Sequence, residues 1–185
     1  TDFDYNNILL INYTIQNGTF FNFTYNFSSL PIKPNGTDSI VALYHFDNIT
    51  EESNTLAKSF VLNPQINGTL SPNQVWNSSG RLGGSFEFNG IDDSINLTTS
   101  SALNPTSALT LSAWVKLSDQ TGNNVIIGRW DTVGGVNERT YILQVNASEN
   151  PTFAISSDGT DTGAVSATNE SRLQLNTWYH VAGTW

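Results

Sequence analysis

The chain has 185 residues and carries 7 Lys and Arg against 16 Asp and Glu, a formal charge of -9, with no stretch that gathers its cations into a basic stripe, so nucleic acid is a poor partner. The absence of cysteine removes disulfide frameworks, thiolate metal sites and cysteine nucleophiles together. No apolar run approaches the roughly 20 residues of a membrane-crossing helix, and the start lacks the basic and apolar regions of a signal peptide, so a mature soluble product is expected.

Residues 1–36 predict a β-hairpin and a linker. Ile11, Tyr13 and Ile15 alternate with polar residues, as do Phe21, Phe23, Tyr25 and Phe27, and Asn17-Gly18 between the two runs suits a tight hairpin turn. A lone hairpin is marginal in water, so its apolar face needs a partner: the main domain, a neighbour or another copy of the chain. Pro31 and Pro34, followed by Asn35-Gly36, read as the linker. From residue 37 onward short strand-like runs alternate with turn clusters: 40–46, 85–88, 94–97, 109–116, 124–128, 141–145, 152–155 and 178–184. Only 173–176 suggests a short helical turn. Many short strands between Gly, Asn, Asp and Ser turns predict an all-β sandwich or barrel.

Glycosylation acceptors are dense. Asn-x-Ser/Thr triplets begin at Asn12, Asn17, Asn22, Asn26, Asn35, Asn48, Asn67, Asn77, Asn96, Asn146 and Asn169. Random order of this composition would give about 5, roughly half the number present. Asn12, Asn22, Asn26, Asn96 and Asn146 fall on the polar side of alternating runs, the side on which a bulky glycan fits.

Four motifs in order then resemble one family. Leu43-Tyr44-His45-Phe46-Asp47 is similar to the opening strand of LamG-like domains of the concanavalin A-like lectin/glucanase superfamily. Gly80 to Ile95 is similar to their Gly-rich turn and hairpin, Leu109 to Val115 to their central Trp strand, and Asn176 to Trp185 to their late Trp-His-Val-Ala-Gly-Thr strand. The resemblance covers about residues 40–185 and implies a jelly-roll β-sandwich over 37–185 with an N-terminal β-hairpin extension. Such domains continue past the Gly-Thr strand to a closing strand that this sequence lacks. The expectation is therefore a longer chain, or a strand supplied by another subunit.

The resemblance also implies a structural calcium ion on the sandwich rim, for which Asp47, Asp92 and Asp93 are the candidate oxygen ligands. Paired Asp in a turn equally serves to bond the backbone. Among the tryptophans, Trp114 and Trp178 read as core or sheet-face packing. Trp76 and Trp130, beside turns, are candidates for a sugar-stacking surface, with loop anchoring as their other role. Catalysis finds no constellation: Glu87 has Asn89 where a paired carboxylate would stand, and His45 and His180 lie in strands beside aromatic residues. Gly83-Gly84 lacks the Lys of a phosphate loop.

The expected function is thus a non-catalytic extracellular glycoprotein module for adhesion or surface assembly, its partners being other copies of itself or cell-surface proteins and glycans. Dense acceptors without cysteine suit an archaeal-type surface layer, pilus or filament subunit, with strand exchange through the N-terminal segment as a route to assembly. A carbohydrate-binding module of a larger secreted protein is the alternative.

Overall fold

The computed structural model describes residues 40–47, 55–61, 64–131 and 138–185, all of which fall in one compact unit, Ile32–Trp185. The expected hairpin and linker, with Asn12, Asn17, Asn22, Asn26, Asn35 and Asn48, lie outside the described residues.

In chain order the strands are β1 (Leu56–Ala57), β2 (Gly68–Leu70), β3 (Val75–Asn77), β4 (Ser85–Glu87), β5 (Ile95–Leu97), β6 (Thr110–Val115), β7 (Asn124–Arg129), β8 (Tyr141–Val145), β9 (Pro151–Ser156), β10 (Ala164–Thr168) and β11 (Tyr179–Thr184). They form a four-stranded sheet β10-β9-β8-β7, a three-stranded sheet β1-β2-β5, and the pairs β11-β6 and β3-β4. Every pairing is antiparallel. The fold is the all-β, concanavalin A-like sandwich that the sequence predicts.

Alternation explains the layers. In β6, Leu111, Ala113 and Val115 turn inward while Thr110, Ser112 and Trp114 turn out. In β11, Tyr179, Val181 and Gly183 turn inward while His180, Ala182 and Thr184 turn out. The inward side chains meet those of the four-stranded sheet in one apolar cluster built on Leu143, Val145, Phe153, Leu173 and Val181. Two sheets sharing one core make the sandwich. Strand β8 departs from simple alternation, because Ile142 is buried as well as Leu143. Leu143 and Phe153 face each other across β8 and β9, and Phe153 presses on β11. A Cβ on Gly183 would stand 2.3 Å from Phe153 Cγ, so only glycine lets the two sheets approach this closely.

Two local expectations are corrected. Residues 40–46, expected as a strand, form no ladder among the described residues. The Leu43 carbonyl accepts from the Phe60 amide at 2.9 Å, but Phe46 has a φ of 61°, which bends the chain away from extended geometry. Residues 173–176 are not helical: Leu173 is buried in the core, and Asn176 takes a φ of 58° while its amide reaches the Leu117 carbonyl at 2.7 Å. A 3-10 turn forms instead at Ser101–Leu103, where the Ser100 hydroxyl accepts from the Ala102 amide.

Aromatic side chains hold the bent 40–47 segment in place. Tyr44 stacks on Phe46 at 5.9 Å, Phe46 meets Phe86 edge-on at 5.3 Å, and His45 stacks on Phe60 at 4.1 Å. The Tyr44 hydroxyl donates to the Ile66 carbonyl, and burial pushes its pKa from 10.0 up to about 12.

Two outcomes follow. Gly183→Ala is expected to destabilise the fold by about 1–3 kcal/mol in chemical denaturation, because the added methyl overlaps Phe153; an unchanged midpoint would show that the sheets are not in this contact. The neutral phenol of Tyr44 is favoured by folding, so its contribution to stability is present below about pH 10, where the unfolded phenol titrates. That contribution is lost as pH rises towards about 12. Tyr44→Phe should flatten this alkaline decline in denaturation midpoints, and an identical decline in the variant would assign it elsewhere.

Candidate functional site

Because one face of the β6–β11 pair is committed to the core, strand parity sends a defined set of side chains to the other. Register places Thr110 opposite Thr184, Ser112 opposite Ala182 and Trp114 opposite His180. Lys116 and Trp178 flank the pair at the same end. The Trp114 side chain is 42% exposed, and its ring lies 5.3 Å from that of His180. Arg81 sets its guanidinium 5.0 Å from the Trp114 ring centroid, and the Lys116 ammonium lies 5.3 Å from that of Trp178. The Thr110 and Thr184 hydroxyls are 3.2 Å apart. Small Ser112 and Ala182 therefore sit beside two indoles, two cations and an imidazole, the makings of a surface that stacks on sugar rings or flat side chains.

Arg81 is delivered by a built turn. The Gly80 amide bonds the Gly83 carbonyl at 2.8 Å, and the Gly84 amide bonds Asp47 Oδ1 at 3.0 Å. Gly83 has a φ of 85°, and a Cβ there would stand 2.1 Å from Asp47 Oδ1. The indole N–H of Trp76 donates to the Phe46 carbonyl at 2.8 Å. Asp47 and Trp76, candidates for metal and sugar, are thus engaged in pinning the turn that carries Arg81. Trp130 is half-buried, with Arg139 6.0 Å from its ring.

Asp92 and Asp93 are held within their own loop. Asn89 Oδ1 accepts the amides of Ile91, Asp92 and Asp93 at 2.9, 3.1 and 3.2 Å. Asn89 also donates from Nδ2 to Asp92 at 2.7 Å and from its backbone N–H to Asp93 at 2.9 Å, and the Ser71 hydroxyl reaches Asp93 at 3.2 Å. Asp47 lies on a different turn. Among the described residues, no three His, Cys, Asp or Glu side chains gather in the manner of a metal site.

Five acceptor asparagines are described. Asn96 and Asn169 are exposed, whereas Asn67, Asn77 and Asn146 are half-buried. In Asn77, Asn146 and Asn169 the side-chain carbonyl accepts the amide of the serine two residues on, at 2.7, 2.9 and 2.8 Å, a turn that brings the acceptor and its hydroxyl residue together. Asn146 also donates to buried Thr152 at 3.3 Å, and Asn77 donates to Glu87. That contact engages the carboxylate nearest to a catalytic candidate.

A concavity of about 570 Å³ opens between Arg129, Arg139, Tyr141 and Trp185. Its cations already have partners: Arg129 bonds the Asn104 side chain, and Arg139 lies 3.8 Å from Asp161. Burial raises the Tyr141 hydroxyl, and the nearby Arg129 charge offsets part of that effect.

A two-layer antiparallel sandwich is the architecture of the concanavalin A-like folds. Comparison with known families agrees: the model of the concanavalin A-like lectin/glucanases superfamily, in its Laminin_G_3 form, matches residues 89–185, just over half of the chain, and the chain belongs to this family. The matched span contains the central Trp strand and the late Trp-His-Val-Ala-Gly-Thr strand, whereas the Leu43–Asp47 motif precedes it. No curated protein and no solved structure matches the chain. LamG-like domains are generally non-catalytic carbohydrate- or protein-binding modules and are typically extracellular. Among the described residues no helix is long and apolar enough to cross a membrane.

The hydrogen bonds around Asn89 give this region a test of its own. Asn89→Ala leaves three loop amides without their acceptor, and a loss of about 1–2 kcal/mol is expected in urea denaturation. A neutral effect would mean that Asp92 and Asp93 do not depend on Asn89 for their positions.

Proposed function

We propose that the chain is a non-catalytic extracellular glycoprotein module for adhesion or surface assembly, which holds a cell-surface glycan on the outer face of β6 and β11. The observation that carries this reading is the exposed indole of Trp114, framed by Arg81 and His180 on a face that the core does not use. An exposed ring supplies flat apolar area, and the hydroxyls of Thr110, Ser112 and Thr184 supply polar contacts along the same two strands. The family supports a binding role, and the density of acceptor triplets supports an extracellular setting. The reading as a module without catalysis rests on Asn89 standing where strand parity would put a second carboxylate on the side of Glu87, which itself bonds Asn77.

Binding to an array of immobilised polysaccharides and cell-surface glycoproteins tests the reading. Trp114→Ala is expected to lose about tenfold or more in affinity for whatever is captured, as an aromatic anchor does. Thr168→Ala, on exposed β10, is expected to bind as the parent does. Equal binding by both variants would move the site off this face.

A further inference from the structure

The charge of the outer face is opposite to that of the protein. The chain has 16 acidic residues and only 7 Lys and Arg, yet β6 and β11 contain no Asp or Glu, and Arg81, Lys116 and His180 all stand on their outer side. Among the described residues, neither Arg81 nor Lys116 pairs with a carboxylate. Each instead lies against an indole, Arg81 on Trp114 and Lys116 on Trp178. A cation on a ring face is oriented by the ring quadrupole, and its outward N–H groups stay available to an anion.

We infer that the target is an acidic polysaccharide, one whose sugar rings carry carboxylates. The inference rests on the reading of this face as the binding surface and names the chemistry of its ligand. Arg81 presents a planar fork that matches a carboxylate with two parallel hydrogen bonds. Lys116 follows the last residue of β6 and lies two residues beyond Trp114, roughly 6.6 Å further along the extended backbone, so an extended polymer with recurring charges that meets Arg81 at Trp114 meets Lys116 next. The small pair Ser112 and Ala182 leaves room for a sugar ring beside Trp114. A densely charged polyanion suits the protein less well, because a net charge of -9 repels it everywhere except on this narrow strip. A chain with one carboxylate per sugar gains the local contacts at a lower density of charge.

The experiment titrates the whole 185-residue chain with three probes: polygalacturonate, the same polymer after carboxyl reduction, and dextran sulfate. The expected result is binding to polygalacturonate that weakens by about tenfold or more on carboxyl reduction, on raising the salt, and in Arg81→Gln or Lys116→Gln. Circular dichroism and denaturation midpoints equal to the parent's show that these surface variants remain folded. If the carboxyl-reduced polymer binds equally well and Trp114→Ala still abolishes binding, the face is a glycan site but the charge inference is overturned. Binding to dextran sulfate alone overturns the carboxylate assignment, and capture only of a protein partner overturns the saccharide assignment. No binding to any probe or array component removes the reading of the face together with the inference.

Discussion

The contact between Phe153 and Gly183 fixes which way β11 faces. With Phe153 in the space that a side chain at 183 would fill, β11 must turn positions 179, 181 and 183 towards the core, and its antiparallel register then sets β6 with Leu111, Ala113 and Val115 inward. Period-two geometry allows no compromise, since a shift of one residue would exchange the two faces completely. The exposure of Trp114 and His180 is therefore a consequence of core packing, and the proposed binding face is the remainder of a packing solution. The Gly80–Gly84 turn adds Arg81 to it from a separate part of the sheet system, pinned by Asp47 and Trp76.

Much of this is legible in the sequence. Alternation and turn residues mark seven of the strands, β4 to β9 and β11, and the four family motifs order them. What escaped has physical reasons. Strands β1, β2 and β3 are two or three residues long and lie outside the family motifs, whereas the equally short β4 lies within the Gly80–Ile95 motif and β5 begins at its end. Strand β10, Ala164-Val165-Ser166-Ala167-Thr168, lies at a sheet edge with four of its five residues exposed, so its composition carries little apolar signal. Residues 40–46 look like a strand because Ile40 to Phe46 is a nearly unbroken β-branched, aliphatic and aromatic run, but a ladder depends on a partner, and composition cannot supply one.

The candidate site shows the same division. Large aromatic residues within strands are ordinarily core, which is why Trp114 and Trp178 read as packing and Trp76 and Trp130 as ligand candidates. The signal that reverses the choice is parity: Leu111 and Val115 bracket Trp114 on the opposite face, and Ala113, the smallest of the apolar set, occupies the core position next to it. Trp76, whose sequence reads as lying beside a turn, sits in β3 and uses its indole N–H to hold Phe46. Asp92 and Asp93, read as candidate oxygen ligands, accept hydrogen bonds from Asn89 of their own loop and, for Asp93, from the Ser71 hydroxyl between β2 and β3. The acceptor asparagines divide for a comparable reason. Asn96 stands on an exposed strand face, whereas Asn146 falls just after β8, where its side chain is needed to close a turn.

The most direct measurement of the outward orientation of Trp114 is fluorine NMR of protein labelled with 5-fluorotryptophan, which reports its five tryptophans as separate resonances. The Trp114 line is assigned by Trp114→Phe, and each line is titrated with a soluble paramagnetic agent. The account predicts that the Trp114 line broadens well before that of Trp76. A Trp114 line as protected as that of Trp76 would place the indole inside the sandwich and contradict the assignment of faces on which the binding surface rests.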